Sequence, residues 1–119
     1  MPSARALALP LALAAGCSVS EESWPKDYAK AFCSFQKRCT KAEFFYDYDN
    51  ETDCVDKMLT RWDEYGAAST AGCSFDESNA QKCIDALNLS CEQFADDYDP
   101  ATYYTICDDA WSCTSVYGG

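Results

Sequence analysis

The chain has 119 residues, of which 9 are Lys or Arg and 20 are Asp or Glu, and its formal net charge is −11. This balance argues against a nucleic-acid partner, because phosphate binding needs a positive field. The sequence contains no His, which excludes catalytic triads that use a histidine base, and so many acids make chance carboxylate pairs inevitable. We therefore expect a protein that is not an enzyme and that needs no cofactor.

The first part of the chain has the organisation of an export signal. A short cationic start at residues 1–5 precedes an apolar run at residues 6–15, and small residues then lead to Cys17. The apolar run is about half as long as the roughly 20 residues that a membrane-spanning helix needs. We therefore predict that residues 1–16 are a signal peptide.

The segment Leu13-Ala14-Ala15-Gly16-Cys17 resembles the lipobox of bacterial lipoproteins, in which the signal is cut before the cysteine and the cysteine carries the lipid. The sequence departs from the family pattern at Ala14, where the family prefers Leu. The resemblance implies a lipid on Cys17, a membrane partner through that lipid and, because Ser18 follows, sorting to the outer membrane. The alternative is cleavage by the general signal peptidase near residues 15–18, which would give a freely secreted protein.

Residues 17–23 are interpreted as the lipidated cysteine and a short polar linker, and residues 24–119 as one cysteine-rich domain. Eight cysteines in that domain indicate a disulfide scaffold with four bridges in an oxidising compartment. Zinc is a poor alternative, because His is absent and the cysteine spacings are not those of zinc sites. The connectivity stays open among the eight predicted disulfide cysteines: Cys33, Cys39, Cys54, Cys73, Cys83, Cys91, Cys107 and Cys113.

The first predicted helix runs from about Trp24 to Lys41, with Ser23 as its N-cap. Its aromatic residues fall on one side: Trp24, Tyr28, Phe32 and Phe35. Cys39 lies on that side and Cys33 near the opposite one, so the two cannot bond to each other and should tie the helix to different segments.

Four lysines occupy the side of this helix opposite the aromatic residues. We call them the lysine row: Lys26, Lys30, Lys37 and Lys41. The favoured interpretation is a solvated face that offsets the acidic remainder of the chain. The alternative is contact with anionic lipid close to the anchor.

Aromatic residues cluster after the first helix, where residues 44–50 interrupt the helical pattern. Exposed aromatic rings give much contact area at low entropic cost, so they are candidates for binding an envelope or extracellular protein or a glycan. The alternative is that some of them belong to the core. The possible partner-binding residues are Phe44, Phe45, Tyr46 and Tyr48.

Acidic residues alternate through the same region, at Asp47, Asp49, Glu51 and Asp53. Alternating carboxylates occur in calcium loops, although the Gly and Glu that an EF-hand requires are missing here. The four acids are thus weak calcium candidates, and helix capping explains part of their pattern.

Three further helical segments follow. Asn50 or Thr52 caps a second helix that Gly66 closes after Tyr65, and residues 67–72 then form a loop. Its apolar face comprises Cys54, Val55, Met58, Leu59, Trp62 and Tyr65. Asp76 starts a third helix, and Ser90 caps a short turn. The apolar stripe of the third helix comprises Ala80, Cys83, Ile84 and Leu87.

The last part of the chain is predicted as another turn opened at residues 99–100, or alternatively as a strand at residues 102–106, followed by a tail that Cys113 pins. The expected fold is an all-α, disulfide-rich bundle of three to five short helices. The expected function is that of a lipid-anchored extracytoplasmic binding or structural module, with a freely secreted effector or inhibitor as the alternative.

Overall fold

The computed structural model describes residues 18–98 and 106–113. These residues form, in chain order, α1 (Trp24–Cys39), α2 (Lys41–Asp47), α3 (Glu51–Arg61), a π-helical turn (Trp62–Gly66), α4 (Ala67–Ser69), β1 (Ser74–Phe75), α5 (Glu77–Leu87), α6 (Cys91–Asp97) and β2 (Trp111–Ser112). The two short strands pair antiparallel, and residues 106–108 are helical. The predicted all-α, disulfide-rich class is confirmed. Residues 99–105, which hold most of the predicted turn or strand, lie outside the described residues, and Ile106, the last residue of the predicted strand, is helical.

Four disulfides join the elements and use all eight predicted cysteines. They are Cys33–Cys54, Cys39–Cys91, Cys73–Cys113 and Cys83–Cys107. As expected, Cys33 and Cys39 tie α1 to different segments, namely α3 and α6. Because disulfides form and persist in oxidising compartments, this scaffold indicates an exported protein.

The predicted helix caps are confirmed at three of the four positions. Asn50, Asp76 and Ser90 each accept a hydrogen bond from the backbone N–H three residues further along, at 2.8, 2.9 and 3.1 Å. Ser23 occupies the N-cap position of α1 without a side-chain cap bond. Its hydroxyl instead accepts a hydrogen bond from the backbone N–H of Ser20 at 2.9 Å, so it stabilises the turn before the helix.

The helical pattern was predicted to break at residues 44–50, and this prediction is wrong for residues 44–47, which are helical. α1 ends at Cys39, and the backbone of Thr40 leaves helical geometry with φ −134° and ψ 59°. A second helix, α2, then starts at Lys41. The apolar pattern of α1 does not continue into α2, because the non-helical residue Thr40 interrupts the helical register.

The second predicted helix, which begins as α3, was expected to end at Gly66 and to be followed by a loop at residues 67–72. The helix extends further than that, because residues 67–69 are helical. It continues through the π-helical turn into α4, and the left-handed backbone lies later, at Gly72 with φ 79°. A π turn changes the helical register by one residue. Tyr65, predicted on the apolar face of this helix, lies within the π-helical turn and has 66% of its surface exposed.

Two groups of buried residues hold the helices together. The larger core lies between α1, α5 and α6 and includes Trp24, Phe35, Ile84, Leu87 and Phe94. The smaller core surrounds the Cys33–Cys54 disulfide and includes Phe44. α1 contributes to both cores, so it is the central element of the fold.

The segment predicted to be a linker is attached to the domain. Val19 is 3% exposed and belongs to the larger core, and its N–H donates a hydrogen bond to Oε1 of Gln81 at 3.2 Å. The carbonyl of Ser20 accepts a bond from the N–H of Trp24 at 2.8 Å. Residues 18–23 are therefore not a free tether, because burial of an apolar side chain holds their start on α5. Cys17 itself lies outside the described residues.

Candidate functional site

A cavity of about 500 Å³ lies between α1 and the helical segment that follows α3. We call it the aromatic groove. Most of its wall is aromatic, and its principal lining residues are Trp24, Tyr28, Phe32, Met58, Trp62 and Tyr65. Concave sites with mostly apolar walls and a few polar groups are typical ligand-binding sites.

One wall of the aromatic groove comes from the spacing of residues along α1. Trp24, Tyr28 and Phe32 are four residues apart, so their side chains lie one above the other on the same helix face. The rings of Trp24 and Tyr28 are stacked with centroids 4.9 Å apart, and those of Tyr28 and Phe32 are 5.8 Å apart. Trp24 is buried, whereas Tyr28 and Phe32 are half-buried and present ring surface to the groove.

The opposite wall depends on the π-helical turn. The ring of Trp62 lies against the backbone at Gly66, where an added Cβ would come within 2.7 Å of Cδ2 of that ring. The centroids of the Trp62 and Trp111 rings are 6.0 Å apart. The Trp111 ring packs edge-on against the ring of Phe75, with a centroid distance of 5.0 Å. The short sheet, closed next to its end by the Cys73–Cys113 disulfide, therefore supports this wall.

Arg61 lines the aromatic groove and is exposed. Within residues 18–98 and 106–113, the guanidinium of Arg61 forms no ion pair, and the one ion pair present joins Lys57 to Asp53 at 3.2 Å. Arg38, by contrast, is used structurally, because it donates hydrogen bonds to the carbonyls of Leu87 and Leu89. Arg61 is thus a planar cation placed to meet a carboxylate, phosphate or hydroxyl of a ligand.

The four possible partner-binding residues predicted from the sequence do not lie together on one surface of the structure. Phe44 is 1% exposed and packs in the smaller core beside Cys33–Cys54, so its prediction as a partner-binding residue is corrected. Phe45 and Tyr46 are 46% and 90% exposed on α2. Tyr48 is half-buried and lines the aromatic groove.

The four weak calcium candidates lie around the start of α3, whose N-cap is Asn50, and two of them, Asp49 and Asp53, are joined by a hydrogen bond. The carboxylate of Asp53 accepts a hydrogen bond from the N–H of Asp49 at 2.9 Å and also pairs with Lys57. The Asp49 bond and then Lys57 hold the pKa of Asp53 below its ordinary value of 3.8. In the described part of the chain, no group of three or more His, Cys, Asp or Glu side chains is placed to hold a metal ion.

The aromatic groove was not predicted from the sequence, although one of its signals was visible. The aromatic stripe of α1 was noted, but a stripe of this kind is ordinarily core, and only part of it is. The second wall could not be predicted, because nothing in the sequence indicates the π-helical turn. Trp62, Tyr65 and Gly66 of that turn line the groove together.

Comparison with protein-family models, with curated proteins and with solved structures finds no match. Among the described residues, no helix has the length and apolar character needed to cross a membrane. The function therefore has to be argued from the sequence and from the geometry of the aromatic groove.

Proposed function

We propose that the protein is a lipid-anchored extracytoplasmic module of the bacterial cell envelope that binds a partner in the aromatic groove. The observation that carries the proposal is the groove itself, with ring faces on both walls and Arg61 beside them. The four disulfides support an extracytoplasmic location, and the lipobox-like segment ending at Cys17 supports the anchor. The alternative is a freely secreted effector or inhibitor with the same binding site.

A binding role fits the chemistry of the groove better than catalysis. Its walls offer stacking surface, phenol and serine hydroxyls, a thioether and one guanidinium, which can hold and orient a ligand. No carboxylate is among these lining residues, so they do not include the carboxylate pair that glycoside hydrolysis uses. We therefore propose a non-enzymatic module.

The proposed partner is an envelope or extracellular protein or glycan that presents a flat or apolar group next to a hydrogen-bond acceptor. A sugar ring or a planar side chain would stack between Tyr28 and Tyr65, and its acceptor would meet Arg61. The net charge of −11 makes a strongly acidic partner unfavourable in the groove, except for an acidic group within immediate reach of Arg61.

The binding site is tested by comparing two exposed aromatic positions. The oxidised protein and two variants would be immobilised and offered solubilised envelope proteins and purified envelope glycans. The groove variant combines Arg61→Ala with Tyr65→Ala, and the control is Tyr46→Ala on α2, which removes an even more exposed ring outside the groove.

We expect the groove variant to have about 10-fold or more lower affinity for a captured partner. The variant lacks one ring that would stack on the partner and one guanidinium that would donate a charge-assisted hydrogen bond to it. The control should bind as the unaltered protein does. The reverse result would assign the partner to the exposed rings of α2 and reject the groove.

The anchor is tested by the intact mass of the mature protein. We expect a diacylglyceryl-modified Cys17 at the N-terminus and recovery of the protein in the membrane fraction. Replacing Cys17 with Ser should remove the lipid and release the protein, while the other eight cysteines still form four disulfides. An unmodified N-terminus close to residue 16 would instead support the secreted alternative.

A further inference from the structure

We propose that the three members of the lysine row that lie on α1 (Lys26, Lys30 and Lys37), together with the surface around Ser18, rest on anionic lipid headgroups, so that the aromatic groove faces away from the membrane. The inference rests on the proposed lipid anchor at Cys17. It goes beyond that proposal because it states which side of the domain contacts the bilayer and what chemistry holds it there.

The position of the anchor follows from the attachment of Val19 to the domain. Val19 is held by the larger core and by its hydrogen bond to Gln81, so the chain is fixed two residues after Cys17. Consecutive Cα atoms are about 3.8 Å apart, so a lipid carried by the residue bonded to Ser18 has no linker between it and the domain. A lipid on Cys17 must therefore bring the surface around Ser18 to the headgroups.

The surface around Ser18 includes the start of the lysine row. Ser18 and Lys30 line the same hollow, of about 430 Å³, together with Ile84 and Asn88. Lys26 and Lys30 line a second hollow of about 480 Å³ alongside it. Both lysines are exposed, and neither forms an ion pair with a residue that the structure describes.

Acidic groups are also present on this face, but their side chains are shorter than those of the lysines. Asp27 lines the first hollow, and Glu51 and Asp56 line the second. Lysine ammonium groups reach further on their four-carbon stems and can meet lipid phosphates while the carboxylates stay back. Lys37 continues the row along α1, whereas Lys41, its last member in the sequence, lies on α2 beyond the break at Thr40. Each lysine near an anionic surface raises affinity about fivefold.

The orientation of the groove follows from helix geometry. Tyr28 and Lys30 are two residues apart on α1, which separates their directions by about 200° around the helix axis. Tyr28 lines the aromatic groove, and Lys30 lines both hollows near Ser18. When the lysine row contacts the bilayer, the groove opens toward the aqueous side, where a partner can enter it.

The experiment is a lysine footprint of the lipidated protein, reconstituted in vesicles of phosphatidylglycerol and, separately, of phosphatidylcholine. A water-soluble amine-reactive reagent is added, and the rate of modification of each lysine is read by peptide mass spectrometry. Lys57 is the internal reference, because it lies on α3 over the ring of Tyr48, away from both hollows. The intact mass of the same sample reports the lipid on Cys17.

We expect Lys26 and Lys30, relative to Lys57, to react about fivefold or more slowly on phosphatidylglycerol than on phosphatidylcholine vesicles, and the difference to diminish at high salt. Equal relative rates on the two lipids, with Cys17 lipidated, would overturn the proposed orientation and leave the anchor intact. Protection of Lys57 in place of Lys26 and Lys30 would overturn it too. A missing lipid on Cys17 would contradict the proposed anchor instead.

Discussion

Replacing Gly66 with Ala tests whether the aromatic groove depends on close contact between the Trp62 ring and the helix backbone. Gly66 has φ −65° and ψ −46°, which are ordinary helical values, so its backbone conformation does not require glycine. An added Cβ would lie 2.7 Å from Cδ2 of Trp62 and closer still to Cε3. Carbon atoms in favourable contact are about 3.5–4.0 Å apart, so the ring has to move.

Two opposing effects set the change in the free energy of unfolding that Gly66→Ala should cause. Ala is favoured over Gly in a helix by about 1 kcal/mol. Overpacking costs about 1–3 kcal/mol, and loss of the Trp62–Trp111 ring contact costs a further ~0.5–1.5 kcal/mol. We therefore expect Gly66→Ala to lower the free energy of unfolding by about 1–3 kcal/mol, although helix propensity alone predicts an increase.

The assay is guanidinium unfolding of the oxidised protein, followed by far-UV circular dichroism. Tryptophan fluorescence is not used, because the substitution changes the surroundings of Trp62 and would alter that signal without unfolding. The same substitution is then made in a Trp62→Leu background, where the obstructing ring is gone and Ala should stabilise by about 0.5–1 kcal/mol. Gly72→Ala is the control: Gly72 has φ 79° and open space, so its cost of about 1–2 kcal/mol should be the same in both backgrounds. The reasoning is refuted if Gly66→Ala stabilises the unaltered protein or destabilises both backgrounds equally.

Three further predictions concern the scaffold and the start of α3. Replacing both Cys39 and Cys91 with Ala removes the bridge with the largest sequence separation, 52 residues. The free energy of unfolding should fall by about 4 kcal/mol, because the unfolded chain regains the entropy of that closed loop. A loss below about 1 kcal/mol in denaturant titrations would contradict this entropic origin. Asp53→Asn should lower the unfolding midpoint near neutral pH, because the pKa of Asp53 is depressed in the folded state and its stabilisation is present above the ordinary value of 3.8. That difference should shrink as pH falls below about 4, through the folded pKa, and a difference independent of pH would reject the ionic cause. Millimolar calcium or a chelator should leave the melting temperature unchanged, because the carboxylate of Asp53 already pairs with Lys57; a rise with calcium would restore the calcium hypothesis.

Local features of the fold were predictable because their causes lie within a few residues. Asn50, Asp76 and Ser90 cap helices as the sequence indicated, since each bond spans three residues. The apolar stripe of the third predicted helix became the buried face of α5, with Cys83 and Leu87 fully buried. The separation of Cys33 from Cys39 on α1 was likewise predictable, because helix geometry alone directs them to different partners.

Features that depend on distant contacts or on changes of helix axis were not predictable. The break at Thr40 turned a predicted irregular segment into α2 and buried Phe44 in the smaller core. Trp62 and the exposed Tyr65 both lie in the π-helical turn and form one wall of the aromatic groove, and no sequence signal marked that turn. Val19 stands alone as an apolar residue in a polar segment, and no periodicity marks its burial against α5.

The sequence by itself determined the class of the protein: an acidic chain without His, eight cysteines that form four disulfides in an exported domain, and amphipathic helices with their caps. It also supplied the lipobox-like segment on which the proposed anchor rests. The tertiary structure decided which cysteines pair, which aromatic rings are core and which line the aromatic groove, and where Val19 attaches. The physical reason is that helix periodicity and capping are local, whereas disulfide pairing and burial require side chains that are far apart in the chain to meet in space.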